Sequence, residues 1–349
     1  MDERVNRRSE LGPAVLAVDP SPVAGLQISF LDHLPLAQQV RIYDLSVRAS
    51  RPLQHWANKY PLIRRERVWP LALSVAAAAP FASVEALIAT ARLNLWVFTL
   101  DDLFDEERVP LAELLRRAER YRAIAHRRAA DAADDSLAMA LRDVCDDFAR
   151  YPLFQTLGDG WAEALGGTID GMLCEYRWRD AFRDQTTEAL PSYAEYVANG
   201  LYSIGGLLHV WATLITIDDP STPHHLEHLL LMGRLACTCI RLANDLQSSH
   251  KELAEGKINA LVLLSQGFLR EGMPLDEAYA QARRRVQADI TAALRQLAIL
   301  QAVAQTDTGE PEAALADIAR FVCDFYVEHD YHTVSALFAP RRPTQRRAP

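Results

Sequence analysis

Half of the 349 residues are hydrophobic, so the chain can bury a large core and is excluded from the disordered class. Its 37 basic against 46 acidic residues leave a formal charge of −9, which argues against nucleic acid as a main partner. Glycine is sparse while Ala, Leu and Arg abound, which favours an all-α fold.

Residues 1–35 read as an irregular N-terminal segment, with Pro at 13, 20, 22 and 35. The apolar stretch after MDERVNRRSELG is short and broken by Asp19 and Pro20, which makes a poor signal peptide. From residue 36 the helical period takes over. It predicts helices over roughly 36–58, 67–79, 82–105, 110–128, 134–150, 158–183, 191–215, 222–254, 257–270, 275–305 and 311–336. Pro80, Pro110, Pro152, Pro191, Pro220, Pro274 and Pro311 mark their boundaries. No strand-period segment and no internal repeat occurs. No run of about 18 apolar residues lacks a charge or proline, so no membrane span is expected. Residues 337–349 close on RRPTQRRAP, a basic tail expected to be disordered. Cys145, Cys174, Cys237, Cys239 and Cys323 form no CxxC pair, which points to reduced thiols and a cytoplasmic setting.

Two stretches, IGGLLHVWATLITI (204–217) and LLLMGRLACTCIRLA (229–243), are apolar on nearly all sides and belong inside a bundle. Polar residues near them need a reason. FTLDDLFDE (98–106) sets Asp101, Asp102, Asp105 and Glu106 directly after an apolar run. Asp101 and Asp105 lie one turn apart on one face, with Phe98 a turn earlier, so the face runs from an aromatic floor to a carboxylate rim. Oxygen donors on adjacent turns suit Mg²⁺; a helix surfacing into water would read the same. The acidic stretches DAADD (131–135), RDVCDDF (142–148) and IDD (217–219) are expected to be solvated.

The second polar stretch is CIRLANDLQSSHKE (239–252). Asn244, Ser248 and Glu252 repeat every four residues along one stripe: an amide oxygen, a hydroxyl and a carboxylate, three hard donors for Mg²⁺. Arg241, a turn earlier, offers a planar fork to a phosphate. The structural alternative is a polar cap in which Ser248 bonds back into its own turn. His209 reads first as a satisfied core histidine and second as a base or water-orienting group.

DDLFD resembles the DDxxD motif of class I terpene synthases, and NDLQSSHKE resembles their (N/D)DxxSxxxE motif at every position, 143 residues further on. The resemblance covers roughly residues 40–336 and places the α domain at 36–336. EGKINALVLL (255–264) and PSYAEYVANGLYSIGG (191–206) resemble segments of plant kaurene synthases. In many microbial members the latter helix carries a diphosphate-sensing Arg, whereas Asn199 and Gly200 stand here; Arg241 takes that role in this reading. VEHDYH (327–332) offers Asp330 and Tyr331 in place of the usual microbial Arg-Tyr pair.

The resemblance implies a helical bundle around a central active-site cavity. It implies three Mg²⁺ ions held by Asp101, Asp102 and Asp105 on one side and by Asn244, Ser248 and Glu252 on the other. The ions and Arg241, with Lys251 as a weaker second donor, would ionise an allylic diphosphate. The resulting carbocation must be kept from water and faced by π systems, for which Phe98, Trp178, Tyr202, Trp211 and Tyr331 are candidates, each also readable as core packing. Chain-elongating prenyltransferases carry two DDxxD motifs, and class II cyclases carry DxDD, which is absent. The kaurene-like segments suggest a bicyclic copalyl-type C20 diphosphate supplied by a separate class II cyclase; linear geranylgeranyl or farnesyl diphosphate is the alternative. Dimerisation is common in that family. A non-catalytic isoprenoid-binding helical protein is the competing reading of another class, and a helical scaffold with accidental acidic patches is a third.

Overall fold

The computed structural model describes residues 28–105, 109–128, 134–184, 186 and 190–338. Most of the expected N-terminal segment, residues 339–349 of the basic tail, Glu106, and residues 131–133 of DAADD lie outside the described residues.

Among the described residues there are helices and no strand. The first seven are α1 (Ser29–Asp32), α2 (Leu36–Ala57), α3 (Val68–Ala78), α4 (Val84–Asp105), α5 (Leu111–Ala125), α6 (Ser136–Phe148) and α7 (Phe154–Arg183). The others are α8 (Tyr193–Ser203), α9 (Gly206–Ile217), α10 (Leu226–Ala254), α11 (Ala260–Arg270), α12 (Leu275–Ala302), α13 (Glu310–Glu328) and α14 (Tyr331–Leu337). Prolines set the starts: Pro110 caps α5, Pro274 caps α12, and Pro311 sits in the first turn of α13, where its missing N–H costs nothing.

Two expected helices are broken. The one predicted over 191–215 divides at Ile204 and Gly205. Gly205 has φ +68°, and a Cβ there would stand 2.5 Å from Val97 Cγ1, so only glycine permits this bend. The one predicted over 311–336 divides at Asp330. Its extended backbone stops α13, and its carboxylate caps α14 by accepting from the Thr333 N–H at 2.7 Å.

Every residue of α3 is buried. α10 runs through the interior, packed against α8, α9, α12 and α13, as its all-round apolarity requires. Two apolar clusters share Leu294, Cys323 and Tyr326 on their borders, so the core is continuous. No single described helix is long and apolar enough to cross a membrane; α8 and α9 meet that test only as a pair bent by 41°.

The acidic stretches expected to be solvated are largely not. Asp143 accepts from Trp56 Nε1 at 3.0 Å and from the Tyr60 hydroxyl at 2.5 Å. Asp147 is buried against Arg92, Asp135 caps α6, and buried Asp219 accepts from Ser221 and Thr308. Each repays its desolvation with donors; those of Asp143 and Asp147, and the Thr308 hydroxyl on Asp219, come from distant segments that local spacing does not reveal.

Candidate active site

The last turns of α4 and of α10, the middle of α7 and the α8–α9 bend enclose a cavity of about 320 Å³. Asp101, Asp105, Asn244, Ser248, Glu252, Arg241 and Lys251 all line it, as do Phe98, His209 and Tyr331. Residues separated by more than a hundred positions in the chain thus face one space, carboxylates of α4 on one wall and the Asn–Ser–Glu stripe of α10 on the other.

The rim is electrically strained. Burial, followed by the charges of Asp105, Asp102 and Glu175, pushes the Asp101 carboxyl well above the usual carboxylate range. Burial also raises Glu252, against the opposing pull of Arg241 and a hydrogen bond from Asn259 Nδ2 at 3.0 Å. The Ser248 hydroxyl donates to the Asn244 carbonyl at 2.8 Å, the back-bonded form, which leaves its lone pairs for another partner. Among the described residues no three His, Cys, Asp or Glu side chains already converge on one point. The donor set is instead split between two walls and mixed in type: two carboxylates opposite an amide, a hydroxyl and a carboxylate. These are hard oxygen ligands, and a divalent cation would relieve the repulsion that burial imposes, so the residues fit Mg²⁺.

Cations surround the same rim. Lys257 Nζ pairs with Asp105 at 2.9 Å and with Glu255 at 3.1 Å; burial opposes its charge, and Asp105 more than restores it. Arg179 stands 4.0 Å from Asp105, its guanidinium over the Tyr176 ring. Arg241 is held by Glu175 at 3.0 Å, by Asp245 at 3.2 Å, by the Tyr196 hydroxyl and by the face of the Tyr196 ring. Its stem passes over Gly200, where a Cβ would stand 2.8 Å from Arg241 Cγ. Asp245 is itself fixed by the Tyr196 hydroxyl and the Ala260 N–H, which ties α10 to α8 and α11.

Four residues expected on sequence at the site lie elsewhere. Asp102, counted among the metal-binding carboxylates, faces away from the cavity: both its oxygens accept from Arg67 at 2.8 Å, and Arg64 stands 3.3 Å away. Arg67 also donates to the Phe98 carbonyl at 2.9 Å, which fixes the last turns of α4 so that Asp101 and Asp105 point inward. Trp178 packs beside Tyr196 in the second cluster, one turn-position off the lining face of α7. Tyr202 is 38% exposed and lies against Gly167 on the outer side of α8. Trp211 is wedged over Gly160, filling the α7–α9 interface.

The sequence leaves Arg177 and Arg179 of CEYRWRD equal candidates for the mouth of the site or for solvent, and other lining residues went unrecognised. Met172, Glu175, Tyr176 and Arg179 form an i, i+3, i+4, i+7 stripe on α7. That spacing could have separated Arg179, which reaches the site, from Arg177, which lies in an outer groove. Lys257, expected to open a helix over 257–270, lies instead in the link between α10 and α11, which begins at Ala260. Tyr326 joins Phe98, Phe325 and Tyr331 in an aromatic wall, with Tyr331 5.2 Å from Phe98 and 4.7 Å from Phe325.

A sequence model described as "Terpene synthase family 2, C-terminal metal binding" matches residues 92–292, the segment that carries both rims. The chain is 27% identical over 230 residues to (+)-T-muurolol synthase ((2E,6E)-farnesyl diphosphate cyclizing) of Roseiflexus castenholzii, covering 63% of this chain and 68% of that one. It is 26% identical over 246 residues to the chloroplastic ent-kaur-16-ene synthase of Oryza sativa subsp. japonica, covering 66% of this chain and 30% of that one. The plant relatives are far longer, and the match spans between 13% and 30% of their length. Among solved structures, 2-methylisoborneol synthase from Streptomyces coelicolor A3(2), in complex with Mg²⁺ and geranyl-S-thiolodiphosphate, superposes with a TM-score of 0.63 at 19% identity, over 84% of this chain and 92% of that one.

Proposed function

The chain belongs to terpene synthase family 2, and from that premise we propose that it is a class I diterpene synthase acting on a C20 diphosphate. The observation that carries the reading is the single cavity lined by Asp101 and Asp105 on one wall and by Asn244, Ser248 and Glu252 on the other. The family description is a metal-binding one, and the superposed 2-methylisoborneol synthase holds Mg²⁺ with a prenyl diphosphate analogue.

In this reading Asp101 and Asp105 on one wall and Asn244, Ser248 and Glu252 on the other would hold three Mg²⁺ ions, which would supply positive charge against the diphosphate leaving group. Lys251 and Lys257 at the rim, with Arg179, donate to the departing diphosphate. Arg241 reaches it by exchanging Glu175 for a phosphate oxygen. Below the rim, Val97, Val210, Ile240, Ile318 and Val322 exclude water from the cation. The rings of Phe98, Tyr326 and Tyr331 line the same space and would stabilise positive charge there.

A copalyl-type bicyclic substrate, made by a class II cyclase upstream, is favoured by EGKINALVLL and PSYAEYVANGLYSIGG and by the kaurene synthase relative. One observation favours a linear substrate instead: the bacterial relative, matched over 68% of its length, is named for cyclizing farnesyl diphosphate. The test is incubation with Mg²⁺ and, separately, farnesyl, geranylgeranyl and copalyl-type diphosphates, read by gas chromatography–mass spectrometry. A cyclic diterpene from the bicyclic substrate alone supports the reading; turnover of a linear substrate alone overturns its substrate half.

A further inference from the structure

Two polar pairs line the apolar depth of the cavity. The hydroxyls of Ser74 and Tyr331 satisfy each other at 2.7 Å. The other pair joins α9 to α4: His209 Nδ1 stands 3.0 Å from Asn94 Oδ1. An amide oxygen only accepts, so Nδ1 carries the ring proton and the lone pair lies on Nε2. Thr213 Oγ1, one turn along α9, is 3.3 Å from Nε2, so its hydroxyl donates to that lone pair and must turn away when Nε2 takes a proton. Burial lowers the imidazole pKa to about 4, so the ring is neutral at physiological pH. Val97, Val210 and Cys237 line the same cavity, and its carboxylates, Asp101, Asp105, Glu175 and Glu252, belong to the rim. Nothing in the diphosphate chemistry of the rim uses this pair.

Resting on the reading of the cavity as a carbocation chamber, we propose that His209 Nε2 accepts the proton that ends the reaction. A C–H bond beside the cationic carbon breaks. Its electron pair becomes the π bond of the alkene, and the proton passes to Nε2. The Asn94 oxygen, already accepting from Nδ1–H, stabilises the imidazolium that forms. Weak basicity suffices, because a C–H bond next to a carbocation is far more acidic than an imidazolium. The proton leaves with the released diphosphate, itself a base generated by the reaction.

The test compares wild type, His209→Phe and Asn94→Leu on the diphosphate that wild type turns over. For each, diphosphate release and product composition are measured together. The readout is the fraction of released diphosphate recovered as the principal alkene. It falls about tenfold or more in His209→Phe, with isomeric alkenes or alcohols in its place, and moves the same way in Asn94→Leu. Damage to packing alone slows release and product formation together and leaves the fraction unchanged, and that result overturns the proposal. Should His209→Phe fail to fold, His209→Gln takes its place with the same two outcomes. An alcohol as the principal wild-type product also overturns it. Failure of wild type to release diphosphate from any prenyl diphosphate overturns the underlying reading first, and is seen before any variant is made.

Discussion

Lys257 Nζ lies 2.9 Å from Asp105 Oδ2, so the segment after α10 is tied across the cavity mouth to the last turn of α4. The lysine occupies a carboxylate that a divalent cation would need. The two compete for Asp105, and a displaced Lys257 is free to meet a phosphate.

Lys257→Met therefore separates two effects. The Mg²⁺ concentration for half-maximal activity falls by several-fold, because the competitor is gone, while kcat falls at least about tenfold, because a donor to the leaving group is lost. A Mg²⁺ titration of diphosphate release gives both numbers. No change in either would show that the pair is ornamental.

Arg67 and Asp102 form a buried, two-pronged ion pair beneath the rim. Arg67→Met leaves Asp102 paired with Arg64, whose side chain is a third exposed. The expected loss is about 3 kcal/mol, the scale for breaking one half of a buried pair. The double variant Arg67→Met/Asp102→Leu recovers part of it, because it removes the orphaned charge as well. Denaturant unfolding of the two variants checks the order.

His209 makes stability depend on acid. Its pKa falls from an unfolded value of 6.5 to about 4 in the fold. Below 6.5 the unfolded chain binds a proton that the folded chain refuses. The stabilisation is therefore whole above pH 6.5 and is lost as pH falls towards about 4, on the order of 3 kcal/mol in all. Urea unfolding of wild type and His209→Phe between pH 4 and pH 7 reads the difference in slope. Equal slopes would mean that the ring titrates normally.

Gly205→Ala places a Cβ against Val97 at a left-handed φ, two penalties at once. Thermal unfolding should show a loss of about 2 kcal/mol or more. Gly267→Ala, with no neighbour within 4 Å of the added carbon, serves as the control and is tolerated.

Helical periodicity was enough to find most of the elements and to put Asp101 with Asp105 on one face and Asn244, Ser248 and Glu252 on another, because spacing of four along a helix fixes a shared face; it was the resemblance to class I terpene synthases that implied the two faces meet at one cavity, as they do. It could not place Asp102, whose direction is set by Arg67 on a preceding turn 35 residues earlier. Nor could it choose among the aromatics: Trp211 and Tyr202 share the α8–α9 region with His209, yet fill interfaces with α7 because Gly160 and Gly167 leave room there. The break at Gly205 was written in the SIGG sequence, but its cause is Val97 of another helix. Lys257 lies in the link before α11 and not in the helix expected over 257–270. What escaped the sequence was in each case a contact between distant elements.

The most direct test of the metal-assisted account is diphosphate release by wild type, Asp101→Ala and Asn244→Ala, with Mg²⁺ and with a chelator. The account predicts release by wild type only, only with Mg²⁺, and a reduction of at least about a thousandfold in each variant, with melting temperatures close to wild type. Release by wild type in chelator, or by either folded variant at a rate near wild type, would contradict it.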